Sequence, residues 1–251
     1  IKTRTSLAAY HSYNYLLARE NLTDHLDINE KKDKIRQRLW KIRAKKVIIS
    51  TGAMERPLIF NNNDRPGIIL SSSIKKYIDY YGVKCGQKLS LFTNNDSAYE
   101  TAISLNKSGV NVNSIIDIRE KSNSSVVKHT EKLGIKIHWK HTVINTNGYK
   151  RINSIEIMKL SDDGSNVVGN KINESCDCLG ISGGWTPLVH LFTQSGGKLK
   201  FRDNDNIFLP DKDSSNQISI GSCNGDLELV DVIKNSNSCV KKFLNINSSD
   251  Y

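Results

Sequence analysis

The chain has 251 residues, 37% of them hydrophobic and 25% charged, so it is long enough for one large or two smaller domains with buried cores. Lysine and arginine number 36 against 26 acidic residues, which gives a formal net charge of +10. The basic residues are spread along the chain, and the densest group, Lys31 to Lys46, alternates with apolar residues. We therefore expect a solvated strand face there and no nucleic-acid partner.

No apolar run approaches the roughly 18 residues that a membrane-spanning helix needs, and no signal peptide is visible. We therefore predict a soluble, cytoplasmic protein that makes no membrane contact. The five cysteines lack framework spacing, which predicts reduced thiols. Cys176 and Cys178 would share one face of a strand with no second Cys or His pair nearby, so we expect structural thiols and no metal site.

The first residues predict a sheet that leads to a cofactor turn. The chain opens at Ile1, inside an apparent strand, and we interpret it as a fragment whose upstream part is missing. Alternating patterns predict strands of a small meander over residues 3–18 and 36–50. The second run ends at Thr51-Gly52-Ala53. A buried parallel strand that stops there exposes backbone amides beside small side chains, so a cofactor can lie against the chain.

A helix is predicted after the polar segment 61–66. Ser71 to Ser73 are placed to cap it, and Gly82 is placed to end it. Its aromatic stripe, Tyr77 and Tyr81, is expected to pack in the core.

The next three elements predict a βαβ unit with parallel strands, at 88–93, 97–108 and 112–118. Its turn lacks the glycines that such units use to bind a pyrophosphate, because Thr93, Asn95 and Ala98 stand at the G-x-G-x-x-G/A places. A branched side chain and an amide would crowd a bound phosphate there. The turn residues are therefore only weaker candidate contacts: Asn94, Asn95 and Asp96.

Asp117 ends the second strand of this unit, where dinucleotide folds place an acid to take the ribose hydroxyls. An ordinary solvated loop acid is the alternative. A helix over 123–133 and a strand over 135–143 follow. In one strand, His138 and His141 would point to opposite faces, so a metal pair is not expected.

The last segment repeats the signals of the first. Cys178 to Pro187 reads as a buried strand that runs into a glycine turn, and Gln217 to Asp226 as a strand that ends in small residues followed by an acid. These features predict an α/β fold in which an FAD/NAD(P)-binding (Rossmann-like, three-layer) domain is interrupted by a second, inserted dinucleotide-binding-type domain. The outer domain comprises 1–60 and 176–251, and the inserted domain 61–175.

Several strings together resemble a known family. Thr51-Gly-Ala53, Asn94-Asn-Asp-Ser-Ala98, Gly183-Gly-Trp-Thr-Pro187 and Gly221 to Asp226 follow the order of the motifs A-T-G, G-G-G-D-S-A, G-x-x-P and G-D in flavoprotein reductases with two dinucleotide-binding domains. Longer strings are similar to the alpha subunits of heterotetrameric sarcosine oxidases, among them Thr51-Gly-Ala-Met-Glu-Arg-Pro57, Asn63-Asp-Arg-Pro-Gly67 and His190-Leu-Phe-Thr-Gln-Ser-Gly-Gly-Lys-Leu199. This resemblance covers nearly the whole chain.

The resemblance implies a cofactor-binding subunit. Enzymes of that family oxidatively demethylate sarcosine, an oxidoreduction on a CH-NH donor, and a beta subunit carries FAD and the amine site. The alpha subunit holds NAD, contributes to an FMN site at the interface with beta, and binds folate on a C-terminal domain. The resemblance implies beta and further small subunits as partners. It also implies that this chain lacks the N-terminal nucleotide motif and the folate domain and is inactive alone.

The resemblance also places the nucleotide in the outer domain, where NAD is expected and FAD and ATP are the alternatives. It implies a set of contact residues: Leu7, Thr51, Gly52, Ala53, Gly221, Ser222, Asp226 and Leu227. The inserted domain is then mainly structural. Neither a C-x-x-C nor a Ser-His-Asp arrangement is visible, so no catalytic residue is assigned.

Two other functions stay open. One is a scaffold subunit that kept the fold and lost the nucleotide. The other is an NAD(P)H-dependent flavoprotein reductase, which would need the glycines that the turn at Thr93 and Asn95 lacks.

Overall fold

A computed structural model describes residues 1–245 and contains 17 strands and 6 α-helices within them. The strands are β1 (Thr5–His11), β2 (Tyr15–Asn21), β3 (Gln37–Arg43), β4 (Val47–Ile49), β5 (Ala53–Glu55), β6 (Ile68–Leu70), β7 (Leu89–Thr93), β8 (Val112–Asp117), β9 (Lys136–Trp139), β10 (His141–Gly148), β11 (Ile152–Leu160), β12 (Val167–Ser175), β13 (Cys178–Ser182), β14 (Trp185–Pro187), β15 (Leu199–Arg202), β16 (Ile207–Pro210) and β17 (Gln217–Ser219). The helices are α1 (Ile28–Lys31), α2 (Ser71–Tyr81), α3 (Ser97–Lys107), α4 (Ser125–Lys132), α5 (His190–Gln194) and α6 (Leu229–Leu244), and a 3-10 helix spans Gly221–Asn224. Within the described residues, no helix is long and apolar enough to cross a membrane.

The chain forms two compact units. Unit 1 comprises Ile1–Met54 and the chain from Trp185 onward, and unit 2 comprises Glu55–Gly184. The boundaries expected after residues 60 and 175 therefore lie after Met54 and Gly184. The second boundary moves because β13, expected in the outer domain, pairs in parallel with both β6 and β7 of unit 2.

Unit 1 begins with an antiparallel meander in the order β1-β2-β3. The strand expected over 3–18 is broken at Tyr13 and Asn14, which both have positive φ and turn the chain back. Further along, β4 and β17 form a parallel pair, and β15 and β16 an antiparallel one. The core of this unit consists of five buried residues: Tyr10, Leu16, Ile49, Phe192 and Cys223.

Unit 2 has three layers around a five-stranded parallel sheet in the order β6-β13-β7-β8-β9. Because successive side chains of a strand point to opposite faces, Leu91 of β7 joins a core cluster with helix residues and Phe92 joins a second cluster. The first cluster includes Ile74 of α2. The second includes Ile155 of β11, in the antiparallel sheet β10-β11-β12. The predicted βαβ unit is present as β7, α3 and β8, with β7 and β8 parallel.

The aromatic stripe of α2 does not pack in the core, contrary to expectation. Tyr77 and Tyr81 are 45% and 57% exposed, while Ile74 is buried. The serines do not supply an N-cap side chain either, because they lie inside the first turn. Instead, Glu55 Oε2 accepts hydrogen bonds from the backbone N and the Oγ of Ser72, at 2.9 and 2.6 Å. This carboxylate satisfies a free amide at the start of the helix and complements its dipole.

The expectation that His138 and His141 point to opposite faces of one strand is wrong, because the strand predicted over 135–143 is broken. Lys140, with φ of 55°, separates β9 from β10, and these strands belong to different sheets. The rings of His138 and His141 consequently lie 5.4 Å apart instead of on opposite faces. No group of three or more His, Cys, Asp and Glu in the described part of the chain could hold a metal ion.

The cysteines of the described structure are all free thiols. The expectation that Cys176 and Cys178 share one face of a strand is wrong. Cys176 precedes β13 and packs in one core cluster, whereas Cys178 packs in the other. Burial raises the pKa of Cys176 to about 11 and that of Cys178 to about 12, so both stay protonated at neutral pH.

A polar cluster lies between the two sheets of unit 2. Glu174 Oε1 of β12 accepts hydrogen bonds from Ser90 Oγ and Ser114 Oγ, at 2.7 and 2.6 Å. His138 Nε2 lies 3.8 Å from Glu174 Oε2. Burial alone would raise the pKa of Glu174, but the interactions with His138, Ser114 and Ser90 outweigh it and lower the pKa.

We expect Glu174→Gln to lower the free energy of unfolding by about 1–3 kcal/mol at pH 7, because the hydroxyls of Ser90 and Ser114 both lose their charged acceptor. A carboxyl pKa that is lower in the folded state stabilises above the ordinary value near 4.5 and loses that effect as pH falls through the folded pKa. The difference between wild type and variant in urea unfolding should therefore shrink below about pH 4.5. Glu100→Gln, at an exposed ion pair with Lys75, is the control and should change stability by less than about 1 kcal/mol. An equal difference at pH 7 and pH 3 would contradict this assignment.

Candidate functional site

The turn that follows β4 is open to a ligand. Gly52 has φ of 77°, and a Cβ added there would meet no atom within 4 Å, so the backbone is both in a glycine conformation and uncovered. Thr51 Oγ1 donates to the carbonyl O of Leu188 at 2.6 Å, and Leu188 N donates to Gly52 O at 2.9 Å. These two bonds hold the turn in place, so its exposed backbone is preorganised.

The second turn of unit 1 follows β17. Gly221 has φ of 69° and begins the 3-10 helix, and a Cβ there would lie 3.5 Å from Val232 Cγ1 of α6. Asp226 N donates to Gly221 O at 3.3 Å, and Asp226 Oδ1 accepts from Asn235 Nδ2 at 3.0 Å. Because β4 and β17 are parallel neighbours, the turns after them meet at one edge of the sheet.

A cavity of about 130 Å³ lies at this edge, lined by Ala53, Trp185, Ser222 and Leu227. The structure thus brings together three of the residues predicted to contact the cofactor. Leu7 of β1 instead packs against the unit 1 core and does not line the cavity. Trp185 was missed by sequence reasoning, although its position directly after the Gly183-Gly184 turn was the available signal.

Among the described residues, unit 1 also has three larger hollows, of about 450, 460 and 490 Å³. The first two share Ser195, Ser214 and Gln217, and the third lies beside Phe243 of α6. None of the predicted contact residues lines any of the three. The smaller cavity is the candidate cofactor site because the turns after β4 and β17, which carry most of the predicted contact residues, adjoin it.

In unit 2, the turn after β7 is filled by its own side chains. Asn95 Oδ1 accepts hydrogen bonds from the backbone N and the Oγ of Ser97 at the start of α3, at 3.0 and 2.6 Å. The Asn95 amide nitrogen donates to Ser182 O and Oγ, at 3.2 and 3.0 Å. Thr93 Oγ1 accepts from Asn95 N at 3.0 Å. An amide therefore takes the helix-start position that a phosphate occupies in dinucleotide sites.

Asp117 at the end of β8 is fully buried, so the alternative of an ordinary solvated loop acid is wrong. Its carboxylate accepts hydrogen bonds from Tyr99 Oη at 2.8 Å and from Arg119 Nη2 at 2.8 Å. Arg119 Nη2 also lies 2.8 Å from Asp96 Oδ1. Burial and the Asp117 carboxylate raise the pKa of Tyr99, which keeps this phenol a donor. The oxygens that a ribose would need are thus already used within the unit.

We expect Asp117→Asn to lower the free energy of unfolding by about 3 kcal/mol, because Arg119 loses a buried carboxylate partner. Urea unfolding at pH 7 measures this. Asp162→Asn, at a fully exposed carboxylate paired with Lys140, is the matched control and should change stability much less, because solvent screens this ion pair. Equal effects of the two substitutions would show that the Asp117 network does not stabilise unit 2.

Comparisons with known proteins show which sequences and folds this chain resembles. No protein-family model matches the chain. The sarcosine oxidase subunit alpha of Corynebacterium sp. (strain U-96) is 34% identical over 225 residues, which cover 90% of this chain and 23% of that protein. The chain thus spans about a quarter of the length of this curated relative.

Solved structures share the fold. Thioredoxin reductase of T. acidophilum has a TM-score of 0.65 at 16% identity, with 96% of this chain and 72% of that chain covered. An FAD-dependent pyridine nucleotide-disulphide oxidoreductase from Desulfovibrio vulgaris has a TM-score of 0.57 at 12% identity, with 88% and 53% covered. The predicted α/β fold, an interrupted FAD/NAD(P)-binding domain with a second dinucleotide-binding-type domain inserted, is thereby confirmed. By its sequence, the chain belongs to the family of the sarcosine oxidase alpha subunits.

Proposed function

We propose that this chain is the dinucleotide-binding part of an alpha subunit in a sarcosine-oxidase-like oxidoreductase, with oxidation of the amine on a partner subunit. The similarity to sarcosine oxidase alpha subunits over 90% of the chain supports the reaction class. The names of structural relatives, such as the FAD-dependent oxidoreductase, support a dinucleotide cofactor.

The observation that carries the proposal is the contrast between the two units. In unit 1, Gly52 has open space on its Cβ side, and Ala53 lines a cavity. In unit 2, the Asn95 side chain occupies the helix-start position, and the Asp117 carboxylate is hydrogen-bonded to Arg119. These features fit a nucleotide cofactor in unit 1, with NAD as the proposed species and FAD or ATP as alternatives.

The bound cofactor would supply hydride or electron transfer, and the residues of this chain would bind and orient it. Thr51 holds the first turn so that the backbone of Gly52 and Ala53 faces the ligand. Gly221 and Ser222 would contact the ligand from the second turn. Asp226 and Leu227 follow that turn, and Leu7 supports the site through the unit 1 core. We assign no catalytic residue to the chain.

The proposed assembly contains a beta subunit with FAD and the amine site, further small subunits, and an FMN at the interface with beta. Folate would bind outside the present chain. We propose a cytoplasmic location and expect this chain to be inactive on its own. Sarcosine or a related secondary amine is the proposed substrate.

Two observations weigh on the alternatives. A stand-alone NAD(P)H-dependent flavoprotein reductase would need a free phosphate position, and Asn95 fills the one in unit 2. A scaffold subunit would need no open turn at Gly52. Native mass spectrometry of the full-length subunit, co-expressed with its partner subunits, separates these functions. A retained adenine nucleotide and amine-dependent oxidation support the proposal, and a complex free of adenine nucleotide would favour the scaffold.

We expect Ala53→Leu to weaken nucleotide binding at least tenfold, because the added side chain fills much of a cavity of about 130 Å³. Equilibrium dialysis of FAD and NAD against the purified protein measures this. Asn95→Leu in unit 2 is the matched control and should leave the affinity unchanged. Loss of binding in Asn95→Leu with normal binding in Ala53→Leu would move the cofactor to unit 2 and refute the proposal.

A further inference from the structure

Trp185 is a large side chain that lines the unit 1 cavity. It begins β14, which pairs with β5, so the indole and Ala53 are carried on neighbouring strands. None of the three hydrophobic clusters among the described residues includes Trp185.

The volume of the cavity limits what can enter. An apolar cavity of about 150 Å³ binds benzene, so a space of about 130 Å³ matches one aromatic ring and is too small for a whole dinucleotide. The cavity is therefore a subsite for one part of a larger ligand.

The lining selects the chemistry of that part. Ala53, Trp185 and Leu227 contribute apolar groups, Ser222 contributes one hydroxyl, and no charged side chain lines the cavity. Moving a phosphate into such surroundings would cost free energy because nothing there neutralises it. A flat heteroaromatic ring is accepted, because it can stack on an indole and present one polar edge to a hydroxyl.

We infer that Trp185 stacks on one heteroaromatic ring of the dinucleotide that unit 1 holds, which makes it a cofactor-binding residue of this chain. The inference rests on the proposed function, since it requires a nucleotide in unit 1. The phosphates then lie outside the cavity, where the backbone at Gly52 is uncovered.

The other two tryptophans do not line the cavity, so the contact between Trp185 and the ligand can be measured by tryptophan emission. Trp40 Nε1 donates to Glu20 Oε2 at 2.7 Å, and Trp139 stacks on Tyr99 with ring centroids 6.1 Å apart. The sequence contains three tryptophans, so the double variant Trp40→Phe/Trp139→Phe leaves Trp185 as the single indole.

The experiment titrates this double variant with FAD, NAD and inorganic pyrophosphate while recording tryptophan emission and, in parallel, equilibrium dialysis. We expect FAD or NAD to quench Trp185 and pyrophosphate to leave it unchanged. Trp185→Ala should weaken binding of the quenching nucleotide about tenfold, within the range measured for aromatic stacking on a base. Trp185→Phe, which keeps a ring, should lose less, and Trp40→Phe should bind like wild type.

Each failure has its own pattern. Nucleotide binding in dialysis with unchanged Trp185 emission and unchanged affinity of Trp185→Ala would overturn the stacking and leave the proposed function standing. Absence of nucleotide binding to wild type would overturn both. If Trp185→Ala fails to fold by circular dichroism, quenching in the double variant decides the question alone.

Discussion

The structure of unit 2 depends on one strand that comes from far along the chain. All five residues of β13 are buried, and the strand lies between β6 and β7, each of which it contacts in parallel register. Gly180 allows the side chains of Leu91 and Ile74 to pack directly against β13. A Cβ at this position would lie 2.6 Å from Leu91 Cδ2 and 2.7 Å from Ile74 Cδ1. The sheet is therefore complete only when β13 joins β6 and β7 from far along the chain.

The two units use similar turns to different ends. In unit 1, hydrogen bonds from Leu188 and to Leu188 hold the Thr51-Gly52 turn while its outer side stays open. In unit 2, the Asn95 side chain directs its bonds inward, to Ser97 and Ser182. A small residue leaves room for a ligand, whereas an amide provides its own partners. Under the proposed function, side-chain chemistry at these two turns distinguishes a ligand-binding unit from a structural one within a common fold.

Periodicity was sufficient to predict β7, α3 and β8, because their buried residues follow the strand and helix repeats closely and glycine or polar residues bound them. It was not sufficient where tertiary contacts decide which side chains are buried and where a strand ends. The tyrosines of α2 have helical spacing, but neighbouring elements cover only the side that holds Ile74. The spacing of His138 and His141 predicted one strand, whereas in the structure Lys140, at positive φ, separates two strands. The turns of the candidate site were visible as sequence motifs, whereas Trp185 became a site residue only through the pairing of β14 with β5.

The Asn95 network also has a consequence for evolution. A glycine at position 95 would remove the bonds to Ser97 and Ser182 at once, and no phosphate would yet be present to replace them. Asp117 would still be held by Arg119 and Tyr99, so a second and third change would be needed before a nucleotide gained an attractive site. Each substitution alone would lower stability, and no bound nucleotide would offset that loss. Single substitutions at this turn would therefore cost stability before unit 2 could offer a phosphate position.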